Sequence, residues 1–590
     1  MVAIHCLNDR HLDKGHSRAF CSALAKRGIA IIAGLGFGAV LAAGSPAMAQ
    51  ATFDSGSVLR QIERTLPVPS LPSVGPEEEL PKVSLLQGKG ERLFVRKFIV
   101  TGNSLVETSA LQQALTPYEG RSLTLSDLQS AAAAVALAYR KVGLMASCAV
   151  PHQEVAGGVV RLQITEARFG GAVVDGKSTG RVKPELLVER FENALPKGQP
   201  VNMYDLDRAL LLSNDLAGAS VSGGLDKGNK AGESRMVLLS EERPLFASNA
   251  GVDNYGARPT GVVRLSADTA LNGALGYGEQ FNALGMYSSG SNYARLGTSV
   301  PVHPSGTKLG LSGSYMDYHV MTPSLRAQDI RGSTTSVNLD VSQPLVRNRS
   351  FNLFATAAYE GRTFDNKMGS TTSSNYRSDA VNAGLTGNLY DNIFGGGKTV
   401  ASIMATAGNL NLDGSNNKVA DAKSANTQGD YAKLVMSISR LQTITPELAL
   451  LASLTTQVAS KNLGSYEKLM LGGSNSLRAY PAGEGTGDQG VLGSLELQYQ
   501  WPYDLKTFAF YDYGQIQQNA DNTFTGAATN NSLTYSGYGL GLSWLGPQKS
   551  LFKLTWAHRI GDNPLPTATG KDQDGTRHIN RFWLSSSISF

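Results

Sequence analysis

A two-residue rhythm recurs in segment after segment of the C-terminal half, and it constrains the fold more than any other feature. From His578 to Phe590, the residues Phe582, Leu584, Ser586, Ile588 and Phe590 share one face. Asn580, Arg581, Ser585, Ser587 and Ser589 do not form a second apolar one. Side chains alternate between the two sides of a β-strand, so this ending has one greasy face and one mostly wet face. Phe552, Leu554, Trp556, His558 and Ile560 alternate in the same way with Lys553, Thr555 and Arg559. Tyr538, Leu540, Leu542 and Trp544 alternate with Gly537, Gly539, Gly541 and Ser543, and Leu495, Leu497, Tyr499 and Trp501 with Ser494, Glu496, Gln498 and Gln500. Upstream, Val337, Leu339 and Val341 alternate with Asn338, Asp340 and Ser342, and Phe351, Leu353, Ala355, Ala357 and Tyr359 extend the series.

Segments of about ten residues with apolar and polar faces fit a transmembrane antiparallel β-barrel. Lipid offers the backbone no water, so a spanning sheet has to close. Tyr499, Trp501, Tyr538 and Trp544 lie near strand ends, where aromatic girdles meet the membrane interfaces. A soluble sandwich would carry denser Val, Ile and Phe on one face and more charge on the other. The inward faces here read instead as small and polar. The roughly 345 residues after Leu245 accommodate about 16 such strands. Only 17% of the chain is charged and it contains 65 glycines, which suits barrel strands and turns. The formal charge of +5 falls to +2 without the five Lys/Arg and two Asp/Glu of the first 49 residues. That is no nucleic-acid footprint.

The amino terminus reads as a signal peptide, residues 1–49. Lys26 and Arg27 close a basic region, Gly28 to Ala43 is apolar, and Ala47-Met48-Ala49 is a small-x-small cleavage site. Cys6 and Cys21 leave with it, so Cys148 has no intramolecular disulfide partner. A short helix follows within residues 50–66, predicted over Ser57 to Thr65, with Val58, Leu59 and Ile62 on one side and Asp54 or Ser55 as cap. Residues 67–92 form a linker with Pro67, Pro69, Pro72, Pro76 and Pro81, which keep it extended. Two β-α-α-β-β modules come next, residues 93–167 and 168–243, before a barrel over 244–590. Such modules leave sheet edges to which an extended partner can add as a strand.

These residues resemble a known family. The lone helix, linker, two modules and barrel are similar to the two-partner secretion transporters (TpsB), within the superfamily that also holds BamA. Phe98-Ile99-Val100-Thr101-Gly102-Asn103 resembles the opening strand and turn of a POTRA module, and Gly251 to Gly256 the first barrel strand. Gly472-Gly473-Ser474-Asn475-Ser476-Leu477-Arg478-Ala479-Tyr480 resembles the motif at the tip of a loop folded into the barrel, with Leu477 and Ala479 departing from the pattern. A glycine is usual where Ala479 stands, and glycine tolerates positive φ. The resemblance implies that Arg478 pairs with an acid on a following strand. Asp512, in the run Phe508 to Gly514, holds that place. Gly473, Tyr480 and Gly514 complete the expected site, and Phe590 resembles the terminal aromatic that the barrel assembly machinery recognises. The resemblance further implies a bacterial outer-membrane location in contact with lipid and lipopolysaccharide. It implies POTRA modules in the periplasm, a helix that plugs the pore, and export of one large secreted exoprotein bound at the POTRA edges.

Enzyme chemistry is not expected. Phe394-Gly395-Gly396-Gly397-Lys398-Thr399 ends like a phosphate loop, but Asn392 stands where its first glycine belongs, so it reads as a hairpin turn. His152, His303, His319, His558 and His578 are scattered, and neither a metal nor another cofactor is expected. Two alternatives to export remain at this stage: a BamA-like assembly factor, and a passive porin or receptor, which would lack the modules.

Overall fold

The computed structural model describes residues 53–66, 71–73 and 91–590. Residues 1–52, where the signal peptide is expected, and most of the expected linker lie outside the described residues. In the first module the strands Leu93–Val95 and Lys97–Thr101 precede the helices Thr108–Leu115 and Leu125–Lys141, and Ala146–Ala149 and Val159–Glu166 complete a three-stranded sheet. Val159–Glu166 is central, parallel to Lys97–Thr101 and antiparallel to Ala146–Ala149. Phe98, Val160, Leu162 and Ile164 alternate onto its inner face and bury against Leu111, Leu115, Val135 and Tyr139. The long helix is started by Thr124, whose hydroxyl and amide exchange hydrogen bonds with Asp127. The opening strand of this module is interrupted at Arg96. Leu93–Val95 turns aside to pair with the short strand Arg121–Leu123, which is too brief to show a period. The Glu166 carboxylate fixes the turn after Gly102 by accepting from the Ser104 and Leu105 amides at 2.7 and 2.8 Å and from the Tyr139 hydroxyl at 2.7 Å.

The second module repeats the order with Arg168–Val174, Pro184–Ala194, Met203–Asn214, Ala219–Lys227 and Glu233–Glu242, the last strand central. It sits on turns at one end of the barrel. Arg347 grips Asp215 with two hydrogen bonds of 2.9 and 3.0 Å, and Arg349 pairs with Asp207 at 2.9 Å. Lys308 donates to the Asp215 carbonyl at 2.8 Å, and the Lys183 ammonium lies 3.6 Å from the centre of the Tyr277 ring. Bidentate guanidinium–carboxylate pairs fix orientation as well as distance.

Sixteen strands then close into an antiparallel barrel, from Phe246–Asp253 to Asn580–Ser589. The last strand pairs with the first from Ser585↔Asp253 to Ser589↔Asn249. Phe590 adds one more exchange, its amide and carbonyl each bonded to Ser248 at 2.9 Å. Leu495, Leu497, Leu540, Phe582 and Leu584 face outward and are exposed, as a lipid-facing wall requires. Three neighbouring strands, Ile330–Arg347, Phe351–Met368 and Thr371–Asp391, have 18, 18 and 21 residues. This exceeds the roughly ten that cross a bilayer. Past Tyr359 their outward positions turn polar, with Thr363, Asp365, Arg377 and Asp379, so this side of the barrel rises beyond the apolar layer.

The lumen differs from the small, polar interior read from the sequence. Met286, Tyr293, Met316, Tyr318, Phe364 and Tyr376 point inward and are buried. They cluster because the N-terminal helix lies against them, and its apolar face has to bury somewhere.

Candidate functional site

The site is built on the segment 460–488 between the strands Leu448–Ala459 and Gln489–Gln500. This loop folds inward. Its stem is a two-residue ladder, Leu469–Met470 with Thr486–Gly487, and its tip from Leu471 to Tyr480 is buried except at Asn475. The tip is held by its own backbone: the Leu477 amide donates to the Leu471 carbonyl at 3.0 Å, and the Gly473 amide to the Tyr480 carbonyl at 3.2 Å. Gly473 has φ +129, a conformation that favours glycine.

Arg478 projects from this tip to the lumen wall. Nε and Nη2 donate to the two carboxylate oxygens of Asp512 at 2.9 and 2.8 Å, and the Arg478 amide donates to the same carboxylate at 3.1 Å. Nη1 donates to Glu496, and Ser494 bridges by donating to Asp512 at 2.7 Å and accepting from Nη2 at 3.0 Å. The guanidinium carbon lies 3.4 Å from the centre of the Phe510 ring. The Arg478 side chain is 8% exposed and that of Asp512 is 0%. A buried pair of this kind adds little over an apolar core, but removing one partner strands the other at a cost of about 3–5 kcal/mol. The arrangement therefore acts as a position holder for the loop.

The glycines that alternate in the strand Ser532–Gly546 line the slot into which this assembly fits. A Cβ added to Gly537 would lie 2.4 Å from the Ala479 methyl, and one at Gly539 or Gly541 would lie 2.5 or 2.2 Å from the rings of Phe510 and Phe508. Ala479 is not among the residues with positive φ, so no glycine is needed there; its methyl fills the room that Gly537 leaves. Gly514 serves Leu477 and Leu471 in the same way, since a Cβ there would come within 2.6 and 2.9 Å of their methyls. Tyr480 stacks edge-on against Tyr535 at 5.1 Å, lies 4.6 Å from the Arg559 guanidinium carbon, and donates to the Ser536 carbonyl at 3.4 Å. Phe590 takes no part in this cluster. It lies at the seam between the first and last strands, on the outer face.

Sequence reading missed four participants. Glu496 and Ser494 were legible as inward polar positions, but only the register Ser494↔Asp512 brings them to Arg478. Trp583 breaks the wet face of the last strand, and its indole N–H donates to the Arg478 carbonyl at 2.7 Å. Glu484, fully buried in the inward loop, accepts from the Asn563 side chain at 2.7 Å and the Gln573 amide at 2.8 Å, both in the loop between the last two strands. Burial pushes its carboxyl up to about 7, with Asp572 and Asp574 adding to the effect against those two hydrogen bonds. Asp572 is in turn paired with Arg559 and Arg581, the latter at 2.9 Å.

The N-terminal helix runs from Ser55 to Glu63, two residues earlier than the sequence suggests, because Asp54 caps it by accepting from the Ser57 amide at 2.7 Å. It lies inside the barrel. Val58, Leu59 and Ile62 bury against Met316, Phe364, Tyr376 and Tyr466. The Ser55 amide donates to Asn366 at 2.7 Å, and Glu63 accepts from Tyr466 and, at 3.3 Å, from Tyr293. Tyr466 belongs to the inward loop, and Gln61 sits over Gly483 of that loop, so helix and loop touch at two places. The neighbouring Glu467 is held by Lys433 at 2.6 Å and Arg362 at 3.4 Å. Further along, the Pro72 carbonyl accepts from Asn388 at 2.6 Å. A buried chain of hydrogen bonds continues from Asn388 through Asn352 and Arg347 to Asp215 of the second module.

Comparison with known proteins agrees with this architecture. Residues 93–167 match the POTRA domain of ShlB type, and residues 232–544 match the haemolysin secretion/activation protein family ShlB/FhaC/HecB. The chain is 25% identical over 497 residues to the heme/hemopexin transporter protein HuxB of Haemophilus influenzae, covering 83% of this chain and 85% of that one. It is 23% identical to the outer membrane transporter CdiB of Escherichia coli, over 76% of this chain and 77% of the relative. The solved structure of CdiB from Escherichia coli superposes with a TM-score of 0.64 at 19% identity, over 88% of this chain and 94% of that one. BamA from Haemophilus ducreyi shares the fold at 0.53 and 14% identity, over 85% of this chain and 100% of that one. With a family model matching more than half of its length, the chain belongs to the haemolysin secretion/activation family of ShlB/FhaC/HecB type, the outer-membrane transporters of two-partner secretion.

Proposed function

We propose that the structure is the closed state of an exporter that moves one large exoprotein from the periplasm to the cell surface. The observation that carries this reading is the double occupation of the lumen: the N-terminal helix and the Arg478 loop pack on each other inside one closed barrel. The two POTRA modules face the periplasm in this reading and present their edge strands to the partner's N-terminal secretion region. The helix plugs the pore, and the Arg478–Asp512 pair keeps the loop docked until the partner arrives. The signal peptide directs the chain to the envelope. Phe590 presents it to the barrel assembly machinery, and the outer wall contacts lipid and lipopolysaccharide. Neither cofactor nor catalytic step is part of the mechanism; binding and refolding outside drive it.

One relative is named a heme/hemopexin transporter, so a haem-acquisition exoprotein is the first cargo to try. The test is a two-gene reconstitution in a bacterial host lacking both proteins, with a haem-acquisition exoprotein as cargo. Appearance of the exoprotein in the medium only when this chain is co-expressed supports the reading. Periplasmic retention beside a correctly assembled barrel refutes it.

A further inference from the structure

Three polar side chains on neighbouring barrel strands stand in one row on the lumen face. Arg347 lies opposite Asn352, and Asn352 lies opposite Asn388. A bulge makes the row possible. Along the strand Ile330–Arg347 the even positions face the lumen, as Thr334 does opposite the buried Phe364. The register then slips between Pro344 and Val346, Leu345 is left without a partner, and the odd-numbered Arg347 turns inward. Proline has no ladder donor to lose, so the slip costs little there. All three side chains of the row are buried. On the next strand, Gly397–Asn411, the residue opposite Asn388 is Val400, which neither donates nor accepts. The row therefore ends at Asn388, whose amide goes to the Pro72 carbonyl of the linker.

This row has a direction. A guanidinium only donates, so Asn352 has to turn its carbonyl to Arg347, where it accepts from Nη1 at 3.0 Å. That leaves the Asn352 amide facing Asn388, whose carbonyl accepts it at 2.9 Å. The Asn388 amide is then aimed at the Pro72 carbonyl, which only accepts. A carboxamide can turn over with almost no change of shape, and only the chemistry of its neighbours holds it one way round. The fixed end is Arg347, which is gripped by both oxygens of Asp215 at 2.9 and 3.0 Å. Asp215 caps the C-terminus of the helix Met203–Asn214 in the second module.

We propose that Asp215, Arg347, Asn352 and Asn388 form a one-way hydrogen-bond relay by which the second module sets the hold on the linker inside the lumen. When the helix Met203–Asn214 shifts, Arg347 loses its grip on Asp215 and no longer fixes Asn352. Both carboxamides are then free to turn over, and a turned Asn388 points its carbonyl at the Pro72 carbonyl. The linker is released without any change in the wall of the barrel. The two orientations of the carboxamides supply the two-state element that coupling between distant sites requires. Asn352 hydrogen-bonds to neither the module nor the linker among the described residues, so it is a positioning residue. The inference rests on the export reading for the use to which the release is put.

The test is single-channel recording of the full-length transporter in planar bilayers without any partner, reading the frequency of brief openings. Asn352→Asp is the discriminating variant. It is nearly isosteric and still accepts from Arg347, but it has no amide for Asn388. Asn388 should turn its own amide to the new carboxylate and its carbonyl to Pro72. Openings should become about fivefold more frequent, the equivalent of one lost hydrogen bond, although both ends of the relay are intact. Asp215→Ala should do the same. Combined with Asn388→Ala it should open no more often than Asn388→Ala alone, because the relay is already cut. Asp207→Ala removes the neighbouring clamp to Arg349, outside the row, and should leave the frequency unchanged. An unaltered frequency in Asn352→Asp, multiplied effects in the double variant, or an equal rise in Asp207→Ala overturns the proposal. Export in the two-gene host separates the two levels. Its absence with the wild-type chain would contradict the export reading and leave the relay, which is read from openings alone.

Discussion

At the residue scale a few buried polar side chains hold the inward loop in place. Arg478→Ala leaves Asp512 and Glu496 without their cation in a dry wall, so the loop should lose about 3–5 kcal/mol of docking. Arg478→Lys should rescue poorly, because an ammonium cannot span both oxygens of Asp512 while reaching Glu496. The check is export together with heat-modifiable mobility, which reports an assembled barrel: export should fall at least tenfold while mobility is unchanged. Gly537→Ala drives a methyl to within 2.4 Å of Ala479, and overpacking of this kind costs about 1–3 kcal/mol. It should loosen the loop without touching the ion pair, measurable as faster hydrogen exchange from Gly472 to Gly485. Glu484 adds a pH dependence. Its ordinary value is 4.5 and burial raises it to about 7, so the docked loop holds more protons than the undocked one between those limits. Docking is therefore fully favoured below about 4.5 and loses that advantage as pH rises to about 7. Hydrogen exchange at the loop should quicken across this window in the wild type, and Glu484→Gln should remove the dependence.

At the scale of elements, the helix and the linker report on different contacts. Deleting residues 53–66 should raise single-channel conductance in planar bilayers, and an unchanged conductance would argue against a plug. Asn388→Ala breaks the 2.6 Å bond to the Pro72 carbonyl. It should raise the frequency of brief openings without raising the open conductance, because the helix keeps its own cradle. What the sequence disclosed also divides by element. Strands and helices of the modules were legible because each buries one face, which imprints period two or 3.6 on the residues. The glycines opposite Tyr538, Leu540 and Leu542 were visible as a pattern but not as a slot, since their role depends on Phe508, Phe510 and Ala479 arriving from elsewhere. The apolar cradle was missed because its residues come one or two from each of several strands, and no window of sequence contains them together. Trp583, an indole on a face that is otherwise wet, was a local signal for the Arg478 loop and not for this cradle.

At the scale of the whole molecule, one end of the barrel is clamped to the second module through Asp215 and Asp207, while the lumen is filled by the helix and the inward loop. The closed ring removes every strand edge from the wall, so opening has to come from inside, by movement of helix and loop, or at the short seam between the first and last strands. Family membership rests on the match over residues 232–544, and the barrel on the ring closed between Phe246–Asp253 and Asn580–Ser589. The helix also meets the inward loop where Gly56 lies against Ser465, and that contact provides the most direct test. A Cβ at Gly56 would lie 2.5 Å from the Ser465 hydroxyl, close enough for the pair Gly56→Cys and Ser465→Cys to form a disulfide. With this tether in the two-gene host, the account predicts that the exoprotein stays in the periplasm under oxidising conditions and reaches the medium after reduction, with the barrel assembled in both. Equal export by the oxidised and reduced forms would contradict the claim that the helix and the inward loop must part for the partner to pass.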